Sequence, residues 1–200
     1  EGKRSERNQN LKRLLINAYQ SYLFNEWLSF RIDISRLSSE FSGTDLTKAL
    51  DMQFAVKHIE LRGIDKKYFE GQKHFFKLFL GETMCHYPYG RLFGAENLAG
   101  ESDRFAKKQI SPTGLLCSND NKLPKDDALL IESAFLDTRI KALGDRRYAW
   151  IFPEEIKAEY DEENAHAKIW FFLPKGSYAT TLLEEIVGKE LKEGLGEDSF

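Results

Sequence analysis

The stretch Lys168-Ile169-Trp170-Phe171-Phe172-Leu173-Pro174-Lys175-Gly176-Ser177-Tyr178-Ala179-Thr180-Thr181-Leu182-Leu183-Glu184-Glu185-Ile186 decides how this chain is read. A hydrophobic run passes into Pro-Lys-Gly-Ser and then into an apolar-periodic segment, the pattern of strand, tight loop and helix. Pro174 has no N–H for a ladder and ends the strand. Gly176 admits a sharp turn. Ser177 is placed to cap a helix that carries Leu182, Leu183 and Ile186 on one side.

The residue types at this loop suit an anion and a flat ring. The first N–H groups of a helix lack intrahelical partners and attract phosphate. Lys175 adds positive charge, and Tyr178, expected in the first turn, offers a ring for stacking. From pattern alone, the commoner outcome is a plain strand-to-helix connection with Tyr178 packed in a core.

Working outward, Ile156, Ala158 and Tyr160 alternate with Lys157 and Glu159, while Ala165, Ala167, Ile169 and Phe171 alternate with His166, Lys168 and Trp170. Joined by Asp161-Glu162-Glu163-Asn164, they predict a β-hairpin with one buried and one wet face. Arg146 and Arg147 precede a strand expected over Tyr148–Phe152. A helix is expected from Asp126 or Asp127 to a stop at Gly144. Strands are expected over Phe75–Leu80, Thr83–Tyr87 and 109–116, with a polar exposed loop at 94–108 holding Arg104, Lys107 and Lys108. Leu11, Leu14, Leu15, Ala18, Tyr22 and Leu28 predict a long helix over 8–31, with Asn25 among buried types and needing partners there. Thr44 or Asp45 caps a second helix. The last helix runs towards Leu191.

Apolar residues make up 42% of the 200, with 15 Phe, 8 Tyr and 3 Trp, enough for a core; charged residues make up 30%, which points away from a membrane protein. Cys85 and Cys117 form no disulfide framework, so a cytoplasmic setting with reduced thiols is expected. Net charge is −3, which argues against general nucleic-acid adhesion, but its distribution is uneven. Residues 1–36 carry seven basic against four acidic side chains, and 153–200 carry five against twelve. A basic opening, with Lys3, Arg4 and Arg7, can hold RNA on one face or be an ordinary solvated helix. His58, His74, His86 and His166 show no metal-ligand spacing, and no Cys-x-x-Cys occurs, so no metal is expected. No Walker loop or dinucleotide fingerprint is present.

Phe172-Leu173-Pro174-x-Gly176-Ser177-Tyr178-Ala179-Thr180 resembles the C-terminal signature of the TruD family of tRNA pseudouridine synthases. Ala18-Tyr19-Gln20-Ser21-Tyr22-Leu23-Phe24-Asn25 is similar to a second family segment, and Pro112-Thr113-Gly114-Leu115-Leu116 to its Thr-Gly-Pro-Leu element, with Leu115 where Pro is usual. The family's Gly-x-Lys-Asp motif, which holds the catalytic aspartate, and its Asn-Tyr-Phe-Gly and Gln-Arg-Phe-Gly pair are absent. Lys125-Asp126 lacks the preceding glycine. The chain is therefore read as the C-terminal two-thirds of such an enzyme, partnered by the upstream part of the same protein.

The resemblance implies an α+β fold: a pseudouridine-synthase catalytic domain, mainly antiparallel sheet with helices, built from 1–42 and 145–200 and interrupted by an inserted α+β module at 43–144. It implies cofactor-free isomerisation of a uridine in tRNA, uridine 13 by family habit, with Tyr178 holding the flipped base and Lys175, Gly176 and Ser177 binding substrate around it. Arg146 and Arg147, matching an arginine-bearing family stretch, bind RNA backbone with Lys3, Arg4 and Arg7, or pair with local acids. Glu184 stands where the family often has arginine, which leaves contacts near the loop open. This fragment alone is expected to be inactive. A non-catalytic RNA-binding module and an α+β interaction domain are the alternatives.

Overall fold

The computed structural model describes residues 2–61, 66–174 and 176–188, with side chains in the first helix from Asn8 onward. The chain divides into two compact units, residues 1–150 and 151–200. No helix among the described residues is long and apolar enough to cross a membrane.

The first unit opens with α1 (Gly2–Glu40), longer than the periodicity predicts because neither Gly nor Pro interrupts the chain between Lys3 and Ser42. Its buried stripe is not the leucine stripe. Leu11, Leu14, Leu15 and Tyr22 lie exposed, as does Asn25, while Phe24, Trp27, Phe30 and Ile34 are buried. α2 (Gly43–Val56) packs beside it through Leu46, Leu50 and Phe54, with the Phe30 and Phe54 rings 6.1 Å apart. Ser42, not Thr44 or Asp45, holds the cap position of α2, and no side chain caps it. A short α3 (Lys66–Phe69) follows.

Strands β1 (Thr83–His86), β2 (Leu92–Gly94), β3 (Ile110–Leu116) and β4 (Asp145–Tyr148) form one antiparallel sheet in the order β2-β1-β3-β4. Helices α4 (Leu98–Ala106) and α5 (Asp126–Ser133) flank β3 in sequence. α1 lies against β3 at Gly114, where a Cβ would stand 2.3 Å from the Trp27 ring and 2.8 Å from Phe24. Only glycine permits that approach.

Four sequence expectations change here. The apolar run Phe75–Leu80 forms no strand, although Phe76, Leu78 and Phe79 are fully buried. Its N–H groups donate to side chains instead: Phe76 to His74 Nδ1, Lys77 to Ser35 Oγ, Leu78 to Gln72 Oε1, Phe79 to Glu82 Oε2 and Leu80 to Tyr68 Oη. With these five donors satisfied this way, burial of Phe76, Leu78 and Phe79 needs no ladder. The polar stretch 94–108 contains α4, capped by Asn97 Oδ1 accepting from Gly100 N at 3.1 Å. α5 ends at Ser133 instead of reaching Gly144, and Asp137 then draws the Arg139 N–H and guanidinium into a local turn. Finally, β4 ends at Tyr148, where a strand was expected to begin.

The tie between helix and sheet is an ion pair. Arg31 of α1 donates to both carboxylate oxygens of Glu82 at 2.8 and 3.0 Å and to Lys77 O at 2.7 Å; the two side chains are 1% and 2% exposed. Trp27, Phe76 and Phe79 rings surround the guanidinium at 5.3, 4.9 and 4.8 Å. Nearby, His74 stacks 3.9 Å from Phe105 and meets Trp150 edge-on, so burial pushes its pKa down to about 4.

The second unit holds β5 (Glu154–Asp161) and β6 (His166–Phe172), paired antiparallel with a bulge between Glu154 and Lys157, then α6 (Ala179–Val187). The predicted hairpin is present. The expectation of one buried face is not met: no residue of β5, β6 or α6 is buried.

Glu82→Ala leaves a buried arginine unpaired and is expected to lower unfolding free energy by about 3–5 kcal/mol, read by urea denaturation. Replacing both partners, Arg31→Met with Glu82→Leu, recovers most of that loss. The neutral His74 makes the unfolded state the stronger proton binder between pH 6.5 and about 4. Melting temperature therefore falls as pH drops through that window, and His74→Gln flattens the slope.

Candidate functional site

The loop after β6 is built by local hydrogen bonding. Ser177 N donates to Pro174 O at 3.1 Å, closing a turn in which Gly176 has φ +90°. At this left-handed angle any side chain is strained. Tyr178, not Ser177, is the cap residue of α6, with extended φ −106° and ψ 115°. Its carbonyl accepts from Leu182 N at 3.4 Å, so Tyr178 stands just before the first turn and not within it.

No side chain caps α6, and no acidic residue sits in its first turn. Both features leave the positive end of the helix open to an anion. The Tyr178 ring is 57% exposed, so it is not packed in a core among the described residues. At the far end, Gly188 turns left-handed and donates to Glu184 O at 2.8 Å. Lys175 and the side chains of Lys3, Arg4 and Arg7 lie outside the described residues.

Arg146 and Arg147 are adjacent on β4 and point to opposite faces of the sheet. The Arg146 side chain is 4% exposed. Its guanidinium donates to Glu132 at 2.8 Å, to Thr113 O and Oγ1 at 2.8 and 2.9 Å, and to Lys122 O at 3.1 Å. Burial pushes the Glu132 carboxyl up, and Arg146 beside it pulls it back. Of the two options open to it, Arg146 takes the local acid. Arg147 is half-buried over the Phe24 ring at 5.2 Å and donates to Ser21 Oγ at 3.3 Å.

Two of the three sequence words thus meet within the first unit. Ser21 and Phe24 from Ala18–Asn25 join Gly114 from Pro112–Leu116, and Arg147 lies beside them. Gln20 of the first word donates to Cys117 O at 2.6 Å and fixes α1 at the end of β3.

Sequence reading missed a surface cleft of about 490 Å³ lined by Tyr19, Tyr22, Lys57, Phe135, Asp137 and Arg139. Tyr19 Oη donates to Asp137 at 3.2 Å, and the Arg139 guanidinium holds that carboxyl well below the usual carboxylate range. Its charges are matched internally, with Lys57 paired to Glu26 at 3.3 Å. Tyr22 was legible as part of a presumed core stripe, and Tyr19 only as part of the family-like segment Ala18–Asn25. Among the described residues no group of three or more His, Cys, Asp or Glu is placed to hold a metal ion.

The two arginines are separable by substitution. Arg146→Ala strands a buried carboxylate and is expected to cost about 3–5 kcal/mol. Arg147→Ala removes a half-exposed ring contact and costs about 1 kcal/mol or less, measured in the same denaturation series.

The family model described as tRNA pseudouridine synthase D (TruD) matches residues 5–186. The chain is 52% identical over 192 residues to tRNA pseudouridine synthase D from Nitratiruptor sp., covering 96% of this chain and 51% of that protein. It is 43% identical over 178 residues to the protein of the same name from Wolinella succinogenes, covering 89% and 47%. The chain spans about half the length of these curated relatives. A crystal structure from Methanosarcina mazei assigned to tRNA pseudouridine synthase D shares the fold, with a TM-score of 0.56 over 91% of this chain and 39% of that one at 19% identity. With its α+β fold and a family match running from the opening helix to α6, this chain belongs to the tRNA pseudouridine synthase D (TruD) family.

Proposed function

We propose that this chain is the substrate-holding part of a tRNA pseudouridine synthase that isomerises a uridine, uridine 13, in tRNA. One observation carries this reading: an exposed tyrosine at the uncapped N-terminus of α6, inside the chain's family signature. Isomerisation breaks the N1–C1′ glycosidic bond and forms a C5–C1′ bond, with a proton leaving C5 and one gained at N1. No cofactor enters the reaction. The nucleophilic aspartate comes from the upstream part of the same protein, so this chain alone is inactive.

The roles of the residues follow from their chemistry. A uridine must leave its stack to react, and a flat ring compensates for the lost stacking. Tyr178 supplies that ring. Ser177 and Gly176 lie beside an open helix N-terminus suited to a sugar-phosphate oxygen, and Lys175, next to them in sequence, adds positive charge. Lys3, Arg4 and Arg7 hold the RNA backbone at the opening of α1. Arg147 joins them, and Arg146 supports β4 from inside through Glu132. Residues 1–42 and 145–200 belong to the catalytic domain, with 43–144 as the inserted module. The setting is the cytoplasm, where the tRNA substrate is.

Tyr178→Ala in the complete enzyme is expected to lower turnover about 10- to 100-fold, the worth of one base–aromatic stack, with melting temperature unchanged. Tyr178→Phe keeps most activity. Tritium release from C5-labelled tRNA measures both, and wild-type turnover in Tyr178→Ala removes the residue from the site. Catalysis separates from mere RNA binding in the same assay: a binding module releases no tritium while its tRNA affinity still falls with salt.

A further inference from the structure

Thr113 stands where three strands meet. It is 2% exposed and lies on β3, between β1 and β4. The β1–β3 register runs from His86 opposite Ile110 to Met84 opposite Pro112, and one step further brings Thr83 opposite Thr113. There a hydroxyl supplies the link: Thr113 Oγ1 donates to Thr83 O at 2.6 Å. The same oxygen accepts from Arg146 Nε of β4 at 2.9 Å. A hydroxyl has one proton to give and lone pairs to receive, so the first bond leaves the oxygen ready for the second. Of side chains this small, only threonine and serine supply both.

Arg146 is fully committed by this arrangement. Its Nη2 donates to Thr113 O at 2.8 Å and to the Glu132 carboxylate at 2.8 and 3.2 Å, and its Nη1 to Lys122 O at 3.1 Å. The Arg146 and Glu132 side chains are each 4% exposed, so water does not replace a lost partner. Alternation carries the effect to the next residue. Arg146 opposes Leu115 and shares a face with Thr113, while Arg147 opposes Gly114 on the other face. Gly114 is pressed against Trp27, so β3 has no room to yield on that side. Arg146 thus pins β4 from within, and Arg147 is set over the Phe24 ring at 5.2 Å, donating to Ser21 Oγ at 3.3 Å.

We propose that Thr113 is a positioning residue for RNA binding: through Arg146 it holds β4 so that the Arg147 guanidinium meets an RNA phosphate, with Glu132 completing the hold. The proposal rests on the reading of Arg147 as an RNA-backbone contact. Two parallel guanidinium bonds to a phosphate demand a fixed orientation, which a loosened strand does not keep. Thr113 therefore acts on RNA without touching it.

The test is the salt dependence of tRNA binding by the complete protein. One phosphate contact fewer makes the affinity lost over a fourfold rise in salt about threefold smaller. Arg147→Ala is expected to show that reduction, and Thr113→Val, which keeps the shape and removes the hydroxyl, to show the same. Thr113→Ser is expected to restore the wild-type slope, and Thr113→Val combined with Arg147→Ala to reduce it no further than either alone. Thr113→Ala removes the same two bonds without setting a methyl against Thr83 O, and takes the place of Thr113→Val if that variant shows no cooperative melt. A threonine with a structural role alone lowers melting temperature and the competent fraction but leaves the slope of the competent protein unchanged. A wild-type slope in Thr113→Val beside a reduced slope in Arg147→Ala overturns the proposal and keeps Arg147 in the RNA site. A wild-type slope in Arg147→Ala, or tRNA binding that does not respond to salt, overturns both.

Discussion

The first unit depends on one buried charge pair. Arg31 projects from the middle of α1 into a box of three aromatic rings, and Glu82 meets it from the turn that starts β1. Taking two charges out of water costs several kcal/mol each, so this pair is weak evidence of net stability. Its value lies in geometry. A bidentate fork accepts one orientation, and Glu82 Oε2 also accepts from Phe79 N, so the same carboxylate fixes the helix and the segment before the strand. The second buried pair, Arg146 with Glu132, repeats the arrangement between β4 and α5. Pairwise charge matching thus sets the sheet's position where apolar contacts alone would tolerate sliding.

Two consequences reach the family's sequence words. Gly114 has no side chain because Trp27 and Phe24 occupy that space, and their place on α1 follows from the Arg31 anchor one turn on. Arg147, on the face of β4 that meets α1, lies over Phe24 as a result. The words are thus partly packing instructions. Their motif status says where helix and strand touch, while Tyr178 of the third word stands exposed.

Much of the architecture was readable in advance because it rests on local signals. Hairpin alternation at 156–171, the strand Thr83–His86 and the turn at Gly176 all follow from period and residue type. The misreadings have separate causes. Phe75–Leu80 has the composition of a strand, but its N–H groups find side chains from α1, α3 and the neighbouring loop. The stripe Leu11–Tyr22 has perfect helical spacing, yet periodicity reports amphipathicity and not what covers it. α4 was missed although Asn97 signalled its cap. At the site, Tyr178 and Gly176 were legible, but the cap assignment was one residue off because Tyr178, not Ser177, has the extended backbone. Arg146 could not be told from Arg147 by sequence, since only alternation on β4 sends one inward.

The side-chain-satisfied segment also has a cost before the native state exists. Phe75-Phe76-Lys77-Leu78-Phe79-Leu80 is aromatic, aliphatic and free of proline, the composition of a self-pairing strand. In the folded unit its donors are held by Gln72, Ser35, Tyr68, Glu82 and His74, residues drawn from positions up to 42 apart in the chain. Until those partners assemble, the same donors are open to another copy of the same segment. Fidelity of this region is therefore a race between the arrival of these side chains, Ser35 the most distant in sequence, and intermolecular β-pairing. Lys77 is its one internal gatekeeper charge, standing in the middle of the run.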